Sequence, residues 1–245
     1  MIKFFRKIRQ NLLMENKSGK YLKYAIGEIV LVVIGILIAL QINNWNNGEL
    51  EKIEEQNLLS NLYSEFEQNL TILEYDISRI DKVYNAQNLL LEIIQSKNKH
   101  TQQQNLDSLL NVSLGHPTWN PSLMILDDIK NSGRLEVLTS HNLKQHLYKW
   151  NSFYTDYLED IKASENAYES LINYINDHGD VQLIYDKEAF LIDNNANHSM
   201  LKKRQFINYF TNYMKITSLR RSEFLQAKAI ITEFLNETKL QKQTN

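Results

Sequence analysis

The sequence of 245 residues contains no cysteine, two prolines and seven glycines. The absence of cysteine excludes disulfide frameworks, thiolate nucleophiles and cysteine-based zinc sites. An all-β protein of this length needs many more turn residues, so the shortage of glycine and proline favours an all-α chain. The sequence also lacks a phosphate-binding glycine loop, a nucleophile elbow and a zinc-protease motif. We therefore expect no enzyme activity, no metal site and no cofactor.

The net charge of −2 conceals a strong asymmetry along the chain. Residues 1–24 carry a charge of +6, which leaves −8 for the remainder. Basic residues next to an apolar segment stay in the cytoplasm, so residues 1–24 are predicted to form a basic amphipathic cytoplasmic head. This head either binds an anionic inner leaflet or only orients insertion. Because it lacks a recognisable nucleic-acid-binding fold, nucleic acid is not an expected partner.

Residues 25–42, AIGEIVLVVIGILIALQI, are almost entirely apolar. As a helix they measure about 27 Å, close to the thickness of a bilayer core. The exit, ALQINNWNN, offers no small-x-small cleavage site, so an uncleaved signal anchor is favoured over a cleaved signal peptide. The predicted organisation is a transmembrane helix over 25–45 and an extracytoplasmic domain over 49–240.

Four residues of this segment are candidate contacts. Glu28 is an acid near the cytoplasmic rim, where it either serves as a proton or cation relay, pairs with another helix, or simply reaches the interface. Gly27, Gly35 and Ala39 lie at intervals of multiples of four and form a small-residue face. Such a face allows close approach of a second helix, so a homo-oligomer through the transmembrane helix is one possible assembly.

The body shows sustained helical periodicity. From Leu59 onward, apolar residues recur every seven positions with a second row four residues later, which predicts a helix of roughly 45 residues. Similar stripes predict long helices over 141–177 and 199–239, and hence an elongated antiparallel bundle of three to four long helices. Gln87 interrupts the first stripe and either sets a register or faces an internal water. Arg220 and Arg221 interrupt the last; we expect them to mark its rotation to solvent rather than to neutralise acids on a neighbouring helix.

The connection between the first two long helices contains a short helix over 106–114. A further helix is predicted over 121–131, capped by Asn120 and ended by Gly133, with Ser140 capping the next. The segment HPTWNPS contains His116, Trp119 and Asn120 and is the best candidate for a recognition loop, with a structural corner as the alternative. Residues 97–105 are expected to be a loop. Residues 180–197 fit a strand, a helical turn or a packed loop.

The runs MIKFFRKIRQNLL and KYLKYAIGEIVLVVIGILIALQINNWN resemble the opening of an uncharacterised family of single-pass inner-membrane proteins of Gram-negative bacteria, a domain of unknown function. The resemblance lies mainly over residues 1–47. A looser similarity continues at Pro121, Leu126, Asp127, Asp128, Asn131, Ser132, Gly133, Leu135, Leu138, Asn142, Leu143 and Tyr148. The resemblance implies inner-membrane anchoring with a periplasmic helical domain, and it supplies no activity, ligand or catalytic residue.

Together these patterns predict a membrane-anchored helical interaction or sensor-like accessory protein with the lipid bilayer and a membrane or periplasmic protein as partners. Two alternatives remain open. One is an enzyme whose site is assembled from dispersed residues, and the other is a passive tethered homo-oligomer.

Overall fold

The computed structural model describes residues 18–96, 106–186 and 196–244, and all regular secondary structure in these ranges is helical. The predicted all-α class is therefore confirmed. In chain order the elements are α1 (Ser18–Gln95), α2 (Leu106–Ser113), α3 (Met124–Ser132), a 3₁₀ helix (Arg134–Val137), α4 (His141–His178), α5 (Val181–Tyr185), α6 (Ala196–Leu201) and α7 (Arg204–Thr244).

The chain divides into two compact units, Met1–Asn57 and Leu58–Asn245. Within the described ranges, α1 is the one helix long and apolar enough to cross a membrane. No residue of its most apolar 18-residue stretch is buried within the described chain. Because α1 continues to Gln95, the predicted span and the first predicted long helix belong to one helical element.

The core of the second unit is built from α1 beyond Leu58, α4 and α7, together with the connection that follows α2. Its buried side chains form two hydrophobic clusters. The first cluster includes Phe66, Trp119, Trp150, Tyr157 and Phe224. The second cluster includes Leu90, Leu171, Tyr174, Phe206 and Phe210.

Three contacts define an antiparallel register between α4 and α7. Lys149 Nζ donates to Glu233 Oε2 at 2.8 Å. Farther along α4, the Tyr157 ring lies 6.4 Å from Phe224. Tyr168 then lies 5.5 Å from Tyr213. Residue numbers therefore rise along α4 as they fall along α7. A residue of α4 faces a residue of α7 when the sum of their two numbers is close to the sum for these three pairs.

The buried face of α1 differs in part from the predicted stripe. The seven-residue row is buried as expected at Leu59, Phe66, Leu73, Ile80 and Gln87. The second buried row lies three residues after it, not four, and consists of Leu62, Asn69, Asp76, Val83 and Leu90. The row predicted in its place, at Tyr63, Leu70, Ile77, Tyr84 and Leu91, is half-buried. The second buried row contains the polar residues Asn69 and Asp76, so it does not form an apolar pattern in the sequence. The prediction from apolar periodicity therefore selected the neighbouring row.

The start of α3 also differs from the prediction, which placed its cap at Asn120. The helix begins at Met124, and a carboxylate from α1 caps it instead. Glu65 Oε1 accepts hydrogen bonds from the Ile125 amide at 3.0 Å and the Ser122 hydroxyl at 2.7 Å. Its Oε2 accepts from the Leu126 amide at 3.2 Å. A negative charge at free helix amides is the favourable arrangement, and here it comes from a residue distant in sequence.

Asn69 explains why the chain does not begin this helix earlier. Its Nδ2 donates to the Ser122 carbonyl and its Oδ1 accepts from the Ser122 amide, both at 2.8 Å. These paired bonds occupy both backbone groups of Ser122 and hold the segment against α1. The cap is therefore set by tertiary contacts.

Other predicted ends agree with the structure. Ser140 caps α4 by accepting from the Leu143 amide at 3.3 Å. Gly133 ends α3 in the left-handed region, with φ of 72°. Residues 180–197 were compatible with a strand, a helical turn or a packed loop. Within them, Val181–Tyr185 form a single helical turn, α5. The predicted loop over 97–105 and the basic head up to residue 17 lie outside the described residues.

The last predicted helix is divided into α6 and α7 rather than continuous from Ser199. Asn197 at the start of α6 is buried and binds two other elements. Its Oδ1 accepts from the Asp180 amide at 2.7 Å, and its Nδ2 donates to Asp107 at 2.7 Å. These bonds tie α6 to α2 and to the start of α5.

Candidate functional site

A layer of polar side chains crosses the second unit between the two hydrophobic clusters. Its members, which we call the polar layer, are Gln87, His116, Ser164, Tyr213, Thr217 and Arg220. Gln87 Nε2 donates to Thr217 Oγ1 at 3.1 Å and to the Ser113 carbonyl at 3.0 Å. Gln87 therefore binds α2 and α7 directly, and the internal-water alternative is not needed for its amide nitrogen.

Glycine is required where the chain turns after α2. A Cβ atom on Gly115 would lie 2.6 Å from Val83 Cγ2 and 3.2 Å from the Val112 carbonyl oxygen. The backbone at this corner thus approaches α1 more closely than any side chain permits. This close approach positions the next residue, His116, against α7.

Trp119 anchors the same corner in the first cluster. It is 0% exposed and lies 5.8 Å from Trp150 and 5.9 Å from Tyr157 between ring centroids. The Tyr157 hydroxyl donates to the Trp119 carbonyl at 2.9 Å. The HPTWNPS segment is therefore a structural corner at this position, and Trp119 is not accessible to a partner. Asn120, the next residue, is exposed.

The hydrogen bonds around His116 are consistent with one neutral tautomer. The Tyr213 hydroxyl donates to the Gly115 carbonyl at 2.6 Å, so its oxygen accepts from His116 Nδ1 at 3.2 Å. Arg220 Nη1 donates to His116 Nε2 at 3.1 Å and to the Pro117 carbonyl at 3.1 Å. Because arginine has no acceptor, His116 Nε2 must carry a lone pair. A proton there would place two donors against each other.

Burial shifts the pKa values in this region. Burial, assisted by the Arg220 charge, lowers the pKa of His116 to about 4. Burial also raises the pKa of Tyr213 and raises that of Tyr157 to about 12. All three groups are therefore neutral at pH 7, and Arg220 is the charged member of the polar layer.

Arg220 does not turn to solvent, which corrects the prediction for it, whereas Arg221 is partly exposed and paired with an acid. Arg220 is 4% exposed and lies within the polar layer. Arg221 Nε donates to Asp81 of α1 at 2.5 Å, and its guanidinium carbon lies 5.4 Å from the Tyr84 ring centroid. The alternative reading, neutralisation of an acid on a neighbouring helix, holds for Arg221. Arg220 lies in the apolar stripe of α7 because the groups that face it, His116 and the Pro117 carbonyl, are polar.

A pair of carboxyl groups lies beside the polar layer. Glu223 on α7 is half-buried, and the exposed Asp160 on α4 lies at its level in the α4–α7 register. Burial and the Asp160 carboxyl together raise the pKa of Glu223 to about 7, although the Arg220 charge opposes the shift. This acid therefore titrates in the physiological range.

The layer contains several buried polar atoms without a hydrogen-bond partner among the described residues. They are Gln87 Oε1, Ser164 Oγ and Arg220 Nη2. Native interiors satisfy most buried polar groups, so a concentration of three such atoms at one level is unusual. Two further unpartnered buried atoms, Trp119 Nε1 and Trp150 Nε1, lie in the first cluster, so the polar layer holds three of the five such atoms among the described residues.

The small residues among the candidates of the apolar segment are accessible, and Glu28 is less so. A Cβ atom placed on Gly27 or Gly35 meets nothing within 4 Å, and Ala39 is exposed. Glu28 is half-buried and makes an interaction within the chain. The small-residue face is thus open in the first unit, while Glu28 is not a free acid.

No group of three histidine, aspartate or glutamate side chains in the described ranges is placed to hold a metal ion. A groove of about 430 Å³ lies where α4 ends and α7 begins, and its lining includes Tyr174, His178, Lys203 and Arg204. His178 Nδ1 donates to the Tyr174 carbonyl at 3.0 Å, which leaves Nε2 as its remaining polar atom. The groove is open and lacks an acid–base pair.

Sequence reasoning missed the polar layer as a unit, although a signal was present. Gln87, Ser164 and Thr217 each interrupt the apolar stripe of a different long helix. An interruption in one stripe is uninformative, but three that fall at one level of a helical assembly predict a shared polar layer. Recognising the common level requires the register between helices, which single-helix periodicity does not provide.

The features above define an all-helical protein with one exposed apolar helix and an internal polar layer. The chain belongs to a family of unknown function, DUF6090, whose model matches residues 28–178. The match begins at residue 28, so residues 1–27 of the predicted resemblance lie outside it, and it extends through the corner to the end of α4. No curated protein and no solved structure matches the chain.

Proposed function

We propose that α1 anchors the chain in a bacterial inner membrane, with the N-terminus in the cytoplasm and the second unit in the periplasm. The second unit then acts as an interaction or sensor-like accessory domain, not as an enzyme. The observation that carries the anchoring is the apolar stretch of α1, which lacks any buried residue within the described chain.

The energetic argument for anchoring is direct. Side chains such as Ile29 (64% exposed) and Leu31 (66% exposed) leave most of their apolar surface uncovered. Apolar surface in contact with water costs roughly 25 cal/mol per Å². A bilayer core removes this cost over the whole stretch. The +6 charge of residues 1–24 supports the cytoplasmic placement of the N-terminus.

An accessory role fits what the second unit contains. Its long helices are proposed to form an elongated antiparallel bundle, supported by the α4–α7 register and by the two clusters that α1 shares with them. The chemically distinctive groups lie in the polar layer, where Gln87, Tyr213 and Arg220 are buried and His116 is half-buried. This arrangement is better suited to an accessory domain, whose stability or contacts change, than to an enzyme that transforms a ligand.

A second candidate is a tethered homo-oligomer. The open face at Gly27 and Gly35 favours it, because another helix can approach these positions without steric obstruction. In this version the self-association lies in the membrane and the second unit is carried passively.

Topology is tested by single-cysteine labelling, for which the absence of native cysteine is an advantage. Asn44→Cys and Gln10→Cys variants are exposed in intact cells to a maleimide that does not cross the inner membrane, with the outer membrane permeabilised. We expect Asn44→Cys to react and Gln10→Cys to react only after lysis. Reaction of Gln10→Cys alone would reverse the proposed orientation.

Partners are tested by photo-crosslinking from Asn120 and from Gly35 in cells, with the exposed Tyr148 of α4 as a comparison position. A distinct protein captured reproducibly from Asn120 and not from Tyr148 supports the accessory role. Capture of a second copy from Gly35 and nothing else from any position supports the passive oligomer.

A further inference from the structure

The groove between the end of α4 and the start of α7 is shaped by close contacts of the chain itself. A Cβ atom on Gly179, directly after α4, would lie 2.8 Å from Met200 Sδ, so α6 packs tightly against the end of α4. The turn from α6 to α7 is closed by the Lys203 amide, which donates to the Met200 carbonyl at 2.9 Å. The walls of the groove are therefore set by packing and backbone hydrogen bonds, without a ligand.

The floor of the groove is aromatic and apolar. Tyr174 is 6% exposed, and its ring centroid lies 5.5 Å from that of Tyr209 on α7 and 4.2 Å from that of His178. The buried Met200 also lines the floor. The volume of about 430 Å³ falls within the range of roughly 300–1,000 Å³ that is typical of small-molecule sites. The groove thus has room for a small organic molecule and not only for a single ion.

The rim of the groove is positively charged. Lys203 and Arg204 line it and are exposed. They belong to residues 202–204, which form the longest uninterrupted run of basic residues in the sequence, although residues 25–245 together carry a charge of −8. Among the described residues that line the groove, none is acidic.

These two cations differ from the other basic residues that α7 places at helix contacts. Arg221 Nε lies 2.5 Å from Asp81, and Lys228 Nζ lies 2.7 Å from a glutamate of α1. In the ranges that the structure describes, neither Lys203 nor Arg204 has an ion pair, and the first turn of α7 contains no acid. Two uncompensated positive charges beside a cavity favour an anionic ligand.

We propose that this groove binds a small organic phosphate, with the phosphate at Lys203 and Arg204 and the organic part against Tyr174 and His178. An arginine presents parallel donors that match two phosphate oxygens, and a lysine adds a second positive charge, so the pair balances a phosphate dianion. The His178 ring is held in place because its Nδ1 donates to the Tyr174 carbonyl. The site names a ligand class beyond the proposed accessory role and does not depend on the membrane anchoring.

Binding is measured by thermal denaturation of the full chain in neutral detergent micelles, because a ligand that binds only the folded state raises the Tm. The probes are glycerol 3-phosphate and lysophosphatidic acid, which carry the same phosphate monoester, one in solution and one on a lipid in the micelle. At about pH 7.5 this group is largely a dianion. Sodium chloride at equal ionic strength corrects for salt.

We expect the Tm to rise with phosphate relative to chloride. A rise with glycerol 3-phosphate identifies a soluble ligand, and a rise with lysophosphatidic acid alone identifies a lipid headgroup. Either result supports the site, provided that the variants below weaken it. A Tm that follows the chloride control with both probes would overturn the proposal.

Lys203→Gln and Arg204→Gln each remove one charge from the rim. Each should raise the apparent Kd by about tenfold or more, because a charge-assisted hydrogen bond is lost. The matched control is Lys215→Gln, which removes an exposed positive charge of α7 outside the groove and should leave the Kd unchanged. Equal weakening by all three variants would mean non-specific attraction and would overturn the site. Gln205→Glu adds a negative charge to the lining and should abolish binding, so the site is tested even where another variant fails to fold.

Discussion

Glu65 controls the local structure of a segment nearly sixty residues away. It is 6% exposed, and its carboxylate accepts from a hydroxyl and two backbone amides at the start of α3. Removing the carboxylate would leave the buried Leu126 amide and two part-buried donors without an acceptor, which is the costly way to lose a hydrogen bond.

We expect Glu65→Ala to lower the free energy of unfolding by roughly 1.5–3 kcal/mol, because the lost bonds involve a charged group. Chemical denaturation of the full chain in detergent measures the change. Glu67→Ala is the matched control, since Glu67 is exposed on the same helix. Equal effects for the two substitutions would mean that the α3 cap contributes little.

His116 links pH to stability with a sign opposite to that of Glu223. Its pKa is lowered from 6.5 to about 4 by burial and by Arg220, so the folded state favours the neutral ring. The stabilising contribution is therefore complete above pH 6.5 and is lost as pH falls toward 4. Protonation also sets Nε2–H against the Arg220 donor.

For His116→Gln we expect a Tm deficit that is largest at pH 7 and smallest near pH 4, where the unmodified protein has lost the same contribution. Thermal denaturation across this range checks the prediction. His141→Gln, at an exposed position on α4, is the comparison variant. A deficit for His116→Gln that stays constant with pH would contradict the assigned neutral tautomer.

At the scale of elements, the fold depends on the close approach of the corner to α1. The clash that a Cβ atom on Gly115 would make with Val83 is an overpacking problem and not a matter of backbone conformation. A smaller residue on α1 should relieve it. The interaction is therefore open to a double-mutant test.

Gly115→Ala should destabilise the protein by about 1–3 kcal/mol, and Gly115→Ala with Val83→Ala should show a favourable coupling between the two changes. Unfolding free energies of the single and double variants give the coupling directly. Gly48→Ala is the control, because nothing lies within 4 Å of the added atom. Strict additivity would show that the corner adjusts without contacting Val83.

The α4–α7 pairing is the element-level feature on which the polar layer depends. Periodicity predicted both helices. It did not predict that Arg220 would be buried, because an arginine in a stripe reads as a surface residue until its neighbours are known. His116 and the Pro117 carbonyl, which accept from it, come from a corner about a hundred residues earlier.

On the scale of the whole molecule, the two units have opposite surfaces. The first unit exposes apolar side chains such as Leu31 and Leu37, whereas the second contains two buried apolar clusters. We therefore expect the two units to behave independently when the chain is cut near their boundary at residue 57.

A fragment of residues 49–245 should therefore remain in the supernatant after ultracentrifugation of a cell lysate, while the full chain sediments with membranes. Its circular dichroism should be that of a helical protein, because both clusters are contained in the fragment. A fragment that folds but still sediments with membranes would show that the second unit binds the bilayer independently.

Amino-acid order alone was sufficient for the all-α class, the apolar segment and most helix ends. These follow from local rules: side-chain periodicity, the rarity of glycine and proline, and caps such as Ser140 and Gly133. Local rules failed at Asn120, at the second buried row of α1 and at Arg220. In each case the deciding contact comes from a distant part of the chain: Glu65 at α3, the segment around Ser122 at Asn69, and His116 at Arg220. Polar groups can be buried where such a partner exists, and only the packed structure brings the partners together.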